Sequence, residues 1–267
     1  MFYPLQQFTE IGVMDSVEED IRVIKESDEL PSPPASPRAP ELPGALSTKQ
    51  KMAAIQRFIE SFQYNYSGKP FVNLKKSRGM SHIYGSAKEI VRAGLPIQCV
   101  EATFLATLLT ANQSLIDRVP MSFKSKFEGK VYRHIVLAVR ENGRWGALGI
   151  SRRSNLMNKP MRYTSLAELA MDYRQSYKDC FHTLLNVYMG LPFSHETYTD
   201  APIKWRARKI RMNNMAEAKD ALNKFCQEMS YLKEYFEREG KMPAKAGKSL
   251  NTSNKSGTPG KPSKTIA

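Results

Sequence analysis

Apolar residues recur at helical spacing in several stretches of the chain and follow a strand's pattern in one. From Ser47 to Tyr64, Met52, Ile55, Phe58, Ile59 and Phe62 fall on one face, and Ser47 with Gln50 makes a capping-box start. A shorter helix is predicted near 86–93, and a strongly apolar one from about Gln98 to Thr110, approached through Gly94 and Pro96 and followed by Asn112. Ser165 to Tyr188 reads as one long helix, with Leu166, Leu169, Ala170, Tyr173 and Tyr177 on one side and Cys180 and His182 as structural residues along it. In 215–239, Ala218, Leu222, Phe225, Met229, Leu232 and Phe236 alternate spacings of four and three, a coiled-coil-like seam expected to pack on the domain core. A short helix across Asp15 to Lys25 is compatible with the pattern, and His82 and His195 fall in predicted loops.

The strand signal is a hairpin. Asn142-Gly143 is a two-residue turn whose central positions both need positive φ, flanked by Val131–Arg140 and Trp145–Ser151, rich in β-branched, aromatic and small residues. Glu141 then pairs with Arg144, and the same register sets Ala138 against Ala147, Val136 against Gly149 and His134 against Ser151. Directly opposed side chains share a face with Cβ atoms roughly 4.5–5.5 Å apart. The small residues on that face leave room for a helix, and the one starting near Gln98 is predicted to lie there.

Cys99 belongs to the first turn of that helix, where unpaired N–H groups and the positive end of the macrodipole favour a thiolate over the free thiol of pKa about 8.5. Taken singly, Cys99 is a small apolar residue at a helix start, His134 an ordinary strand histidine and Ser151 unremarkable. Together they have the composition of a nucleophile, a base and an orienting group. Arg152 directly follows Ser151, and a guanidinium is suited to grip a free carboxylate through paired hydrogen bonds.

Charge narrows the partners. The chain carries a net +14, but residues 1–48 hold nine acidic and three basic side chains, leaving about +20 on the rest. Such a field attracts polyanions: acidic polypeptide tails, nucleic acid or anionic membranes. No RNP, KH or zinc-finger signature accompanies the charge, so no nucleic acid is expected as a partner. No CxxC or HExxH pattern is present, so no metal or other cofactor is expected. Sparse, odd cysteines, no apolar run of roughly 20 residues and no signal-peptide order point to a cytoplasmic protein. Three regions are predicted: an acidic, proline-rich and largely disordered 1–46, a domain over 47–240, and a lysine-rich disordered tail over 241–267.

Several motifs at matched spacing resemble the vasohibins: Leu95-Pro96-Ile97-Gln98-Cys99-Val100-Glu101-Ala102, Tyr132-Arg133-His134-Ile135-Val136-Leu137, Gly143 to Arg153, Leu156 to Pro160, Pro120 to Lys124 and Gln63 to Gly68. The similarity runs from about residue 47 to 240. It implies an α+β, transglutaminase-like cysteine protease, with helices on a small antiparallel sheet, that removes the C-terminal tyrosine of α-tubulin and associates with the microtubule cytoskeleton. It implies Cys99, His134 and Ser151 as the catalytic set and Arg152 as carboxylate binder. Tyr64 is implied as donor to the developing oxyanion, and Lys76, Arg78, Lys124 and Arg133 as contacts to the acidic tail. Many vasohibins carry lysine before the nucleophile where this chain has Gln98, which can hydrogen-bond but brings no charge, so the preferred terminal residue is left open. The resemblance also implies a small helical partner, the small vasohibin-binding protein, held by the family's N-terminal helical region. Two alternatives stand beside it: a non-catalytic basic microtubule-binding protein, and a transglutaminase-type acyltransferase.

Overall fold

The computed structural model describes residues 22, 23, 26, 37–75, 78–196, 198–200 and 203–243. Lys76, nearly all of the predicted 15–25 helix and the lysine-rich tail beyond residue 243 lie outside the described residues. The fold is α+β: helices α1 (Thr48–Ser61), α2 (Met80–Ala93) and α3 (Cys99–Leu109), then strands β1 (Asp117–Phe127), β2 (Lys130–Glu141), β3 (Arg144–Leu148) and β4 (Lys159–Tyr163). Helix α4 (Leu166–Asp179), strands β5 (Thr183–Met189) and β6 (Arg208–Arg211) and helix α5 (Met215–Glu239) complete it. The strands form one antiparallel sheet in the order β4-β3-β2-β1-β5-β6. No helix among the described residues is long and apolar enough to cross a membrane.

The sheet is covered on both faces. One carries Val136, Ala138, Ala147, Val119, Met121 and Phe123 against α4 and α5, including the whole α5 seam from Ala218 to Phe236. The other carries Leu137, Val139, Leu148 and Ile150 against α1, α2 and α3. Ser47 caps α1 through the capping box expected of it. The face assignment corrects one expectation: α3 does not lie over the small-residue face of the hairpin. Helix α3 is apolar nearly all round, so periodicity could not say which face of the sheet it meets.

Three element boundaries also differ from expectation. Helix α2 starts at Met80, so His82 is helical rather than in a loop. The long helix ends at Asp179: Cys180 caps it, Phe181 takes a positive φ of 63°, and the His182 N–H bonds the Tyr177 carbonyl at 2.8 Å. Beyond that turn Thr183-Leu184-Leu185-Asn186-Val187-Tyr188-Met189 is a strand with its apolar positions paired against β1, a longer-range contact than helical periodicity can register. Residues 37–46 trail beside α1, with Leu42 packed on the second core.

The hairpin register is as predicted. Glu141 pairs with Arg144 and Leu137 with Leu148, and Asn142 and Gly143 have φ of 48° and 75°. The ladder stops at Leu148, short of the His134/Ser151 position. There the buried Gln56 side chain on α1 takes over, donating to the Gly149 carbonyl at 2.8 Å and accepting the Gly149 N–H at 3.1 Å. Gly149 also lies so close to β2 that a Cβ would meet Val136 at 3.0 Å. The chain from 149 to 153 then leaves the sheet, opening a gap beside the lower half of β2.

Candidate active site

The gap is a cleft of about 440 Å³, and Cys99, His134, Ser151, Tyr64, Arg152 and Arg133 all line it. Cys99 is the first residue of α3 and enters from one side of the sheet; His134 stands on β2 on the other, α4-covered side. Both line the same cleft, which is open here because β3 has already ended.

The strand-like approach to Cys99 is held by the segment after α1. The Asn65 N–H donates to the Ile97 carbonyl at 2.8 Å and the Ile97 N–H to the Gln63 carbonyl at 3.2 Å, a parallel bridge that sets Tyr64 beside the start of α3. Glu101, buried in the first turn, accepts the Gln98 N–H at 2.7 Å and is also bonded by the Phe71 backbone. Burial raises its carboxyl, and those two hydrogen bonds oppose the rise.

His134 stacks on Phe123 with ring centroids 5.9 Å apart and planes within 17°. Burial pushes its pKa down to about 4, against a hydrogen bond to the Leu156 carbonyl that favours the charged form. The ring is therefore neutral at neutral pH. Its Nε2 lies 2.8 Å from that carbonyl, which can only accept, so Nε2 carries the hydrogen and Nδ1 keeps the free lone pair. The carbonyl is itself fixed: Leu156 closes a short 3₁₀ turn, the next carbonyl, of Met157, accepts the Tyr173 hydroxyl at 3.0 Å, and the Asn155 amide donates to the Ser176 carbonyl at 3.2 Å.

This corrects the expectation for Ser151. It lines the cleft, but its hydroxyl accepts the Arg153 N–H at 3.3 Å, and the group bonded to His134 is a backbone carbonyl. The ladder breaks before the His134/Ser151 pair forms, and a backbone oxygen leaves no mark in side-chain spacing.

The Arg152 guanidinium lies 5.7 Å from the centroid of the Tyr64 ring and hydrogen-bonds its phenol. Burial, and then the neighbouring Cys99, raise the Tyr64 pKa, with Arg152 opposing, so the phenol keeps its hydrogen at neutral pH. Arg152 itself is exposed at the cleft mouth.

Gln98, Lys124 and Arg78 do not line the cleft. Lys124 stands opposite Arg133 across the β1–β2 ladder, while Arg78 borders a separate recess with Gly79, Ser81, His82 and Asp200. The far wall is one that sequence reasoning missed: Tyr177, Cys180, His182, Ser125, Phe127 and Tyr132. There His182 Nδ1 lies 3.1 Å from the Ser125 hydroxyl, and its ring stacks on Phe127 at 5.1 Å. Burial, then Arg153, lower the His182 pKa. Reading 165–188 as one helix hides Cys180 and His182; the period-two run Phe123, Ser125, Phe127 is the signal available for the rest.

A family model described as Vasohibin matches residues 7–230, beginning upstream of residue 47, where the family's motifs first become legible. The chain is 39% identical over 183 residues to tubulinyl-Tyr carboxypeptidase 1 of Mus musculus, an alignment covering 68% of this chain and 48% of that protein. The chain thus spans about half the length of that curated relative. Its α+β architecture is consistent with the transglutaminase-like fold implied by the motifs. With the family pattern running through most of its length and through the cleft residues, the chain belongs to the vasohibin family.

Proposed function

We propose that the chain is a cysteine carboxypeptidase that removes a C-terminal tyrosine, or a similar aromatic residue, from the acidic tail of α-tubulin. The observation that carries this reading is the convergence on one cleft of Cys99, a neutral His134 with Nδ1 unprotonated, and Arg152 paired with Tyr64. The name of the mouse relative supports the same substrate.

In this mechanism Arg152 grips the terminal carboxylate through two parallel N–H donors, setting the last peptide bond over Cys99. Nδ1 of His134 takes the thiol proton as sulfur attacks the carbonyl carbon, and the carbonyl electron pair moves onto oxygen. That oxyanion accepts from the Tyr64 hydroxyl and from N–H groups at the α3 start. His134 is then a cation for which burial is costly, so it readily returns its proton to the departing amine, and the free amino acid leaves. Water, deprotonated by the same ring, cleaves the thioester, and the proton restores the thiol. The Leu156 carbonyl acts throughout by keeping hydrogen on Nε2 and the lone pair on Nδ1. Ser151 flanks the reacting carbonyl as a member of the catalytic set without orienting the ring.

Arg133 on the cleft wall, Lys124 beside it, Arg78 and Lys76 provide cationic contacts for the glutamate-rich part of the tail, and Gln98 a neutral one near its end. A cytoplasmic, microtubule-associated location and a small helical partner protein belong to the same reading. Polymerised tubulin incubated with wild type and with Cys99→Ala tests it. Terminal tyrosine lost only with wild type supports the carboxypeptidase. Equal binding with no release from either variant supports a non-catalytic microtubule binder, and a mass gain from an added primary amine supports acyl transfer.

A further inference from the structure

The lower half of β2 is an uncovered sheet edge that opens into the cleft, and two hairpins independently fix which backbone groups face it. In a two-residue hairpin the closing pair exchanges hydrogen bonds, and the pattern alternates from there. The β2–β3 hairpin closes at Glu141/Arg144, so Glu141, Val139 and Leu137 bond toward β3. The β1–β2 hairpin closes at Phe127/Lys130 around Glu128 and Gly129, whose φ values are 46° and 76°, so Lys130, Tyr132 and His134 bond toward β1. The two parities agree. The N–H and C=O groups of Arg133 and Val131 therefore point away from β1, into the space that β3 has vacated.

Nothing among the described residues fills that edge. The β2–β3 ladder ends at Leu137/Leu148, and Gly149 makes its backbone bonds to Gln56 instead. Val131 is 50% exposed, Arg133 is exposed, and Tyr132, Arg133 and His134 all line the cleft. The surroundings are basic: Lys124 lies opposite Arg133, Lys126 opposite Val131, and Lys130 at the strand's end, with Glu128 in the turn beyond. Lysines often guard an edge strand against pairing. An edge continuous with a cleft holding a thiol and an imidazole is instead placed to receive a chain.

We propose that an acidic, extended polypeptide adds to the sheet here as a strand, pairing with the backbone of Val131 and Arg133. Resting on the carboxypeptidase reading, the polypeptide is the substrate's own tail. With its carboxylate at Arg152 beside His134, its upstream residues run back toward Lys130, parallel to β2. Main-chain pairing supplies sequence-tolerant grip, alternate side chains meet Lys124, Lys126 and Arg133, and the last peptide bond is delivered to Cys99 in register.

The test is affinity, by fluorescence anisotropy, of the Cys99→Ala protein for a glutamate-rich peptide ending in tyrosine, and for versions N-methylated at successive single amides. Strand pairing uses every second amide, so losses of about fivefold or more, the worth of a backbone hydrogen bond, should alternate with near-neutral positions. Val131→Pro removes one outward N–H without touching the β1 ladder, a position where an edge strand tolerates proline. It should weaken binding by a similar factor with unchanged melting temperature. Penalties that are uniform along the peptide, full affinity in Val131→Pro, or no binding of the parent peptide would overturn the proposal. If the wild type leaves the peptide intact while N-methyl penalties alternate, edge pairing stands and the carboxypeptidase reading falls. Cleavage by the wild type without alternation keeps the carboxypeptidase and removes edge pairing.

Discussion

Replacing His134 with glutamine removes a titrating group while keeping a side-chain N–H able to donate to the Leu156 carbonyl. In the folded protein the ring titrates at about 4, and in the unfolded chain near the ordinary 6.5. The unfolded state therefore binds the proton first as pH falls, so the histidine's contribution to stability is present above pH 6.5 and is lost progressively down to pH 4. Linkage makes the wild type about 2 kcal/mol less stable at pH 5 than at pH 7 through this group alone, out of a full loss on the order of 3 kcal/mol. Glu101, raised by burial, acts with the opposite sign, and His182, lowered, with the same sign. Both cancel when wild type and His134→Gln are compared. Urea denaturation of each at pH 7 and pH 5 should give a difference of differences of about 2 kcal/mol. Parallel behaviour of the two proteins, within about 0.5 kcal/mol, would show that the ring is not enclosed as a neutral base and would refute the reasoning.

Other variants probe neighbouring parts of the site. Gln56→Leu leaves the Gly149 N–H and C=O buried without their partner and should cost about 2–6 kcal/mol in denaturant unfolding, at roughly 1–3 kcal/mol for each of the two orphaned groups. Because the Ser151 hydroxyl bonds the Arg153 N–H rather than the imidazole, Ser151→Ala should keep far more turnover than His134→Ala, which should lose roughly 10²–10⁴-fold in kcat. Arg152→Ala should raise KM about tenfold or more, and Arg152→Lys should recover only part of that, since an ammonium lacks the paired donors; equal KM values in all three would remove Arg152 from carboxylate binding.

How much of the structure is legible in the chain follows the range of the forces involved. The hairpin register is legible because Asn142-Gly143 dictates a turn type and the turn dictates every pair beyond it. The starts of α1 and α3 are legible because Ser47, Gln50 and Pro96 act within a few residues of themselves. The strand over 183–189 is not, since its apolar residues are sorted by pairing with β1, more than fifty residues away. Nor is the face met by α3, whose apolar surface has no preferred side. At the site, Cys99 and His134 are identifiable because a thiol at a helix start and an imidazole on a hairpin are chemical types at readable positions. The Leu156 carbonyl is not, because every residue has one. Ser151 reaches the cleft as the register suggests, but the departure of Gly149 toward Gln56 takes it out of the ladder and leaves its hydroxyl to Arg153.

The most direct measurement is the intact mass of an acidic peptide ending in free tyrosine, alongside the same peptide amidated at its C-terminus, after incubation with the purified chain. Loss of one tyrosine residue from the free acid alone, by wild type and not by Cys99→Ala or His134→Ala, is the predicted result. An unchanged free-acid peptide, or the same release by Cys99→Ala, would contradict a thiol working with a neutral imidazole at a carboxylate-gripping cleft.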